Sequence, residues 1–239
     1  MLHTDHDRLE SYLGLLRLHR GEGRDAYDGV ARAYDGFAHV WDRHIAAPAL
    51  AHFNALVAQH MTAGAHILDA GAGTGERTLA LLRHSQTGRI TALDGSQGML
   101  AVAQGKISDP CVAFVRGDVT QLPFADNTFD IVTSTWVIET LAEPRAAVRE
   151  FVRVIKPEGV VIYTFCSLPE GRGGALLHQV IELAAPGSGP LSVLLSEHER
   201  PFHRCERSSL CQFAGGLTTV ATVAKCCSIE QQYLPCTTR

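Results

Sequence analysis

Three glycines alternate with small residues in the run Asp69-Ala70-Gly71-Ala72-Gly73-Thr74-Gly75, and further acids stand at Asp94 and Asp118. Glycine takes backbone angles that a Cβ forbids and lets a ligand approach the main chain closely. A loop leading from a strand into a helix also offers N–H groups with no partner inside the helix. A dinucleotide fingerprint, G-x-G-x-x-G, needs a glycine where this chain has Glu76, and a glutamate there repels phosphate. The G-x-G-x-G spacing, with Asp69 two residues ahead of Gly71, suits a ligand that brings an ammonium group. Asp94 closes the next apolar run, where a carboxylate accepts from both ribose hydroxyls. Oxidoreductases share that device, so Asp94 alone does not decide the cofactor, and a plain helix cap is the competing reading. Asp118, in Gly117-Asp118-Val119, stands where it can accept from an exocyclic adenine amine while the Val119 N–H donates to a ring nitrogen. Its competing reading is a turn cap.

The elements that must hold these residues follow a clear rhythm. HILDA, RITALD, CVAFVRGD and FDIVTSTW are short apolar runs, separated by longer stretches of helical pattern such as ERTLALLRHS, SQGMLAVAQGK and PRAAVREFVRVI. KPEG then reads as a turn before the β-branched strand VVIYTFC. Strands alternating with helices predict a mostly parallel sheet covered on both faces. Residues 1–60 read as a helical cap belonging to the same domain as 61–239, with Pro48 in the first turn of a helix. The rhythm breaks over about 167–206, read as a lid insertion after the fifth strand. At the end, TTVATVAKC and IEQQYLPCTT predict an antiparallel pair closing one edge.

Composition narrows the classes. The chain has 239 residues, 46% hydrophobic and 19% charged, which excludes disorder. A net charge of -4 argues against a protein held to nucleic acid by phosphate contacts. No apolar stretch is long enough to predict a membrane span, and the first twenty residues carry charge throughout rather than an export signal. A cytoplasmic location with free thiols is the expectation for the seven cysteines, six of them from Cys166 onward.

DAGAGTG, LDGSQGML, GDVTQLPF, FDIVTSTWVIETL and RVIKPEGVVIYTF occur in that order. Together they resemble the class I S-adenosylmethionine-dependent methyltransferases, in the branch of the ubiquinone/menaquinone and many small-molecule enzymes, over roughly residues 27–165. The resemblance implies a Rossmann-like, seven-stranded, mostly parallel sheet with one antiparallel edge strand. It implies S-adenosylmethionine as cofactor, leaving as S-adenosylhomocysteine. Asp69, Gly71, Ala72, Gly73 and Gly75 would line its methionine end, and Asp94 its ribose. Gly95 and Met99 would lie near the adenine, whose edge Asp118 and Val119 would read. Thr135 would approach the sulfonium with Trp136 beside it, and Tyr34, in a Tyr-Asp pair, would close over the cofactor. Gly95 departs from the bulky apolar residue usual there, and Glu139 stands where many relatives have histidine.

The implied reaction is methyl transfer to a small molecule. The alternatives are a methyltransferase of protein or nucleic acid, or a non-catalytic S-adenosylmethionine-binding protein. Ser134-Thr135-Trp136-Val137 replaces the Asn/Asp-Pro-Pro-aromatic run of amino-methylating nucleic-acid enzymes, which favours the small molecule. Candidate general bases are Glu139, His198 and His203; Glu139 also reads as a solvated first-turn acid. His178, His198, His203, Cys205 and Cys211 lack metal-ligand spacing, so no metal is expected. Oligomeric state is left open, a homodimer included.

Overall fold

The computed structural model describes residues 31, 34–36, 38–84, 88–166 and 206–225. The four apolar runs form β1 (His66–Ala70), β2 (Arg89–Asp94), β3 (Val112–Arg116) and β4 (Phe129–Thr135). They are followed by β5 (Ile155–Cys166), β6 (Glu206–Phe213) and β7 (Thr218–Lys225). β1 and β4 are buried along nearly their whole length, as strands covered on both faces must be. All seven share one sheet in the order β3-β2-β1-β4-β5-β7-β6.

Pairing is parallel from β3 to β5 and antiparallel for β5 with β7 and for β7 with β6. Only β7 is therefore reversed, and it lies one strand in from the edge that β6 forms. The TTVATVAK run supplies the reversed strand; its hairpin partner in the structure is the preceding run, ERSSLCQF. IEQQYLPCTT and the lid residues 167–205 lie outside the described residues. KPEG, read as a turn, is an excursion within β5: pairing passes from Phe129↔Ile155 to Ile131↔Val160. Glu158 takes φ 70 in that excursion. At this end of the sheet Asp130 accepts from the His66 N–H and from Lys156 Nζ, each at 2.9 Å, tying β1, β4 and β5 together.

Four helices cover the sheet: α1 (Ala47–His60), α2 (Glu76–His84), α3 (Gln97–Lys106) and α4 (Pro144–Val154). Pro48 and Pro144 stand in the first turns of α1 and α4, where a missing N–H costs nothing. α4 buries Ala147, Val148, Phe151, Val152 and Val154, a helical spacing, against Val132, Val161, Tyr163 and Phe165 on one sheet face. α1 buries Phe53 and Val57 against Ile131, Ile162 and Val220 on the other. A single π-helical turn, Asp42–Ala46, leads into α1.

The chain runs outward from β1 through β2 to β3, then returns to place β4 on β1's other side. The two connections that leave β1 and β4 therefore diverge, opening a crevice at their carboxyl ends, where ligands bind in open α/β sheets.

Candidate cofactor and acceptor site

The glycine loop leaves β1 at that crevice. Gly71, Gly73 and Gly75 have φ of 78, 54 and 86, all left-handed. The Gly71 and Ala72 N–H groups both donate to the Leu93 carbonyl, at 2.7 and 2.9 Å, binding the loop to the end of β2. A Cβ on Gly71 would lie 2.2 Å from Val137 Cγ2, so no side chain fits there. At Gly73 a Cβ would meet nothing within 4 Å. The space over the middle of the loop is open, and this is the cradle a cofactor's methionine end requires.

Asp94 ends β2 beside the loop. Its carboxylate accepts from the Gly73 N–H and the Ser96 N–H, both at 2.8 Å. Ser96 in turn caps α3 by accepting the Met99 N–H at 3.1 Å, the usual service of a serine N-cap. Met99 is buried, and the Gly95 carbonyl accepts from Arg116 Nε at 3.2 Å. Asp94, Gly95, Met99 and the loop thus converge on one place. Asp118 Oδ1 accepts from the Thr120 N–H at 2.9 Å and from its hydroxyl at 2.7 Å, an Asx turn. Asp118 therefore does cap its turn. Val119 is buried among Leu93 and Leu122.

Asp69 corrects the expectation that its carboxylate meets an ammonium group directly. It is fully buried beneath the loop. Thr78 Oγ1 donates to it at 2.6 Å and Thr133 Oγ1 at 3.3 Å. Burial pushes its pKa up to about 6, with the two threonine hydroxyls opposing. Asp69 braces the loop by joining β4 to the first turns of α2.

The segment before α1 is latched to the same loop. The Thr74 hydroxyl donates to Asp35 Oδ1, and Lys106 Nζ pairs with Asp35 Oδ2 at 2.6 Å. Arg77 pairs with Asp42 at 2.7 Å. Tyr34 is half-buried next to Asp35. The sequence reading singled out Tyr34 and passed over its neighbour; the signal was the Tyr-Asp pair itself, whose acid carries the contact to the loop.

The opposite wall is the end of β4. Thr135 is nearly buried. Trp136 follows with φ 58, an unusual conformation for a bulky residue and one that collects at functional sites. Its N–H reaches the Thr164 carbonyl at 3.3 Å, and its ring meets that of Trp41 edge-on at 6.0 Å. Its indole N–H leans on the Asp42 carboxylate electrostatically without closing a hydrogen bond.

Glu139 lies in a short 3-10 turn, Ile138–Thr140. It is no solvated first-turn acid: Oε1 accepts the Cys166 N–H at 3.2 Å, and Oε2 is buried with no partner. Burial pushes its pKa up to about 7. Burial first, then the neighbouring Glu139 carboxylate, raises the Cys166 thiol well above its ordinary value. Cys166 as the partner of Glu139 had no signal in sequence, since the two meet only across β4 and β5. His178, His198, His203, Cys205, Cys226 and Cys227 lie outside the described residues. Cys211, expected as a free thiol, is disulfide-bonded; Cys111 and Cys166 are free. Among the described residues, no group of three His, Cys, Asp or Glu side chains is placed to hold a metal, and no helix is long and apolar enough to cross a membrane.

The sheet order, the glycine loop after β1 and the acid at the end of β2 together define a Rossmann-like domain built to hold an adenosyl cofactor. Residues 68–163 match the family described as "Methyltransferase domain". A demethylmenaquinone methyltransferase of Clavibacter sepedonicus is 40% identical over 108 residues, 45% of this chain and 43% of that protein. One from Symbiobacterium thermophilum is 31% identical over 159 residues, 62% of this chain and 61% of that protein. The matches thus span about half the length of the relatives. The methyltransferase solved in complex with the Haloferax volcanii Trm112 activator shares the fold, with a TM-score of 0.61 at 17% identity over 87% of this chain and 99% of that one. Residues 68–163 are accordingly a class I S-adenosylmethionine-dependent methyltransferase domain, of the branch to which demethylmenaquinone methyltransferases belong.

Proposed function

We propose that this chain transfers a methyl group from S-adenosylmethionine to a small-molecule acceptor. The observation that carries the reading is the open cradle over Gly73, with the Asp94 carboxylate bonded to that residue's N–H at 2.8 Å. When bound, the cofactor supplies an electrophilic methyl on a sulfonium; the protein's task is to hold two reactants in line. Gly71, Ala72, Gly73 and Gly75 would take its methionine end and Asp94 its ribose. Gly95, Met99, Asp118 and Val119 would surround the adenine. Thr135 and Trp136 would face the methyl, with Tyr34 closing the near side and Asp69 acting from beneath the loop. The relatives named demethylmenaquinone methyltransferases support a small hydroxylated or quinonoid acceptor, and the net charge of -4 supports the absence of a nucleic-acid partner. A cytoplasmic location fits such an enzyme, although the disulfide at Cys211 is unusual in a reducing compartment.

Replacing Asp94 with alanine tests this. Removing a charge-assisted hydrogen bond costs roughly 1.5–3 kcal/mol, so S-adenosylhomocysteine should bind about 10- to 150-fold more weakly. Calorimetry on the wild type and Asp94→Ala reads it directly. Equal affinity in the two proteins would remove the ribose role from Asp94, and no binding to the wild type would overturn the reading as a whole.

A further inference from the structure

The sheet face that α1 covers changes character along its length. Ile131 on β4, Ile162 on β5 and Val220 on β7 are apolar and buried under α1. Two residues further toward the crevice, where strand alternation returns each chain to the same face, stand Thr133, Thr164 and Thr218. Register makes them a cluster: Thr135 pairs with Thr164, and Cys166 with Thr218. Glu139 joins it through Cys166, bonding the N–H of that residue and taking its thiol as a second neighbour.

Thr164 and Thr218 are fully buried, and neither hydroxyl has a hydrogen-bond partner; neither has Glu139 Oε2. Buried polar atoms are ordinarily satisfied, and a native protein that leaves several unsatisfied in one place needs a reason. An apolar acceptor would leave all three unpaired. An acceptor that carries hydroxyl or carbonyl oxygens satisfies them.

Resting on the methyl-transfer reading above, we propose that Glu139, Thr164 and Thr218 form the acceptor subsite, and that its ligand is a phenol or enol whose O–H donates to Glu139 Oε2. The threonine hydroxyls orient a second oxygen of the same ligand. The location fits delivery of the methyl, because Thr135 and Trp136 adjoin Thr164 directly. In the reaction, Glu139 Oε2 takes the hydroxyl proton and later releases it to water. The freed electron pair forms the bond from acceptor to methyl at the oxygen, or at a carbon conjugated with it, while the broken C–S bond leaves its pair on sulfur. After attack at carbon, the hydrogen on that carbon leaves as a proton and restores the ring. A carboxyl whose pKa burial brings to about 7 is matched to that exchange near neutral pH.

The test uses the full chain saturated with S-adenosylhomocysteine, whose own binding is measured first. Simple phenols (4-nitrophenol, catechol and hydroquinone) are titrated by calorimetry beside their methyl ethers. Each phenol should bind about tenfold or more tightly than its ether, because a site built to bond a hydroxyl rejects the analogue that lacks it. Glu139→Gln should weaken the phenols about tenfold and leave the ethers unchanged. Thr218→Val should reduce preference for the two-oxygen phenols over 4-nitrophenol. If S-adenosylhomocysteine binds while no phenol is preferred to its ether, the acceptor assignment falls alone. If S-adenosylhomocysteine does not bind, both readings fall. The phenol-against-ether comparison in the wild type needs no variant, so misfolding of a mutant cannot rescue the idea.

Discussion

Gly71→Ala is expected to destabilise the protein by about 2–5 kcal/mol, through two costs that add. The first is conformational: Gly71 sits at φ 78, and a residue with a Cβ there loses roughly 1–2 kcal/mol. The second is steric. The new Cβ would stand 2.2 Å from Val137 Cγ2 and 3.1 Å from Cγ1. A β-branched side chain has few rotamers to retreat into, and overpacking of this kind costs typically 1–3 kcal/mol. Val137 lies between Trp136 and the turn that carries Glu139, so relief of the clash moves both walls of the crevice. Gly73→Ala is the internal comparison. It shares the left-handed backbone, at φ 54, but its Cβ meets nothing within 4 Å. Its stability loss should stay near the conformational cost of about 1–2 kcal/mol, while its loss of S-adenosylhomocysteine affinity should be the larger of the two effects. Urea unfolding and calorimetry separate them. Equal, mild stability losses at both positions would mean that Val137 yields freely and that the loop is not held as described.

That comparison also marks where sequence stops being legible. The G-x-G-x-G pattern declares that the loop is tight and that a ligand approaches it. It does not declare that Gly71 faces Val137 while Gly73 faces open space, because that depends on a contact between chain segments far apart in sequence. The same divide runs through the acids. Asp94 was legible because its place at the end of a strand fixes both its height and its direction. Asp69 was legible in position only; that its carboxylate turns under the loop to Thr78 and Thr133 is decided by two threonines that carry no pattern of their own. β7 was legible as a strand from its β-branched residues, whereas its hairpin partner was not. Alternation states which face a residue takes but not which neighbouring run it pairs with. The excursion at KPEG shows the limit from the other side. Pro157 and Gly159 announce a break, and pairing with β4 resumes beyond it so that β5 continues as one strand.

Glu139→Gln is expected to change the pH dependence of stability by an amount on the order of 3 kcal/mol. The native carboxyl titrates at about 7, against 4.5 for the ordinary group. Between those values the folded protein holds a proton that the unfolded chain has released. Stability is therefore highest below pH 4.5, declines as pH rises, and levels off above 7, where ionising a buried carboxyl has cost its full amount. Glutamine keeps an oxygen for the Cys166 N–H and cannot ionise. Its amide hydrogens meet the unpartnered position of Oε2, which costs roughly 1–2 kcal/mol at every pH. The variant should accordingly be somewhat less stable than the wild type at pH 4 and more stable at pH 8. Asp69, with its pKa pushed up to about 6, adds a decline of the same sign, and His66, lowered chiefly by burial, adds one of opposite sign. Both occur equally in the two proteins and cancel in the difference between their curves. Urea midpoints from pH 4 to pH 8 supply that difference. Parallel curves would show that the Glu139 carboxylate is solvated in the folded state. Crossing curves would show that the fold maintains, at a cost near neutral pH, a carboxyl group that a glutamine would hold more cheaply. A cost of that size is kept where the ionisable oxygen itself is used.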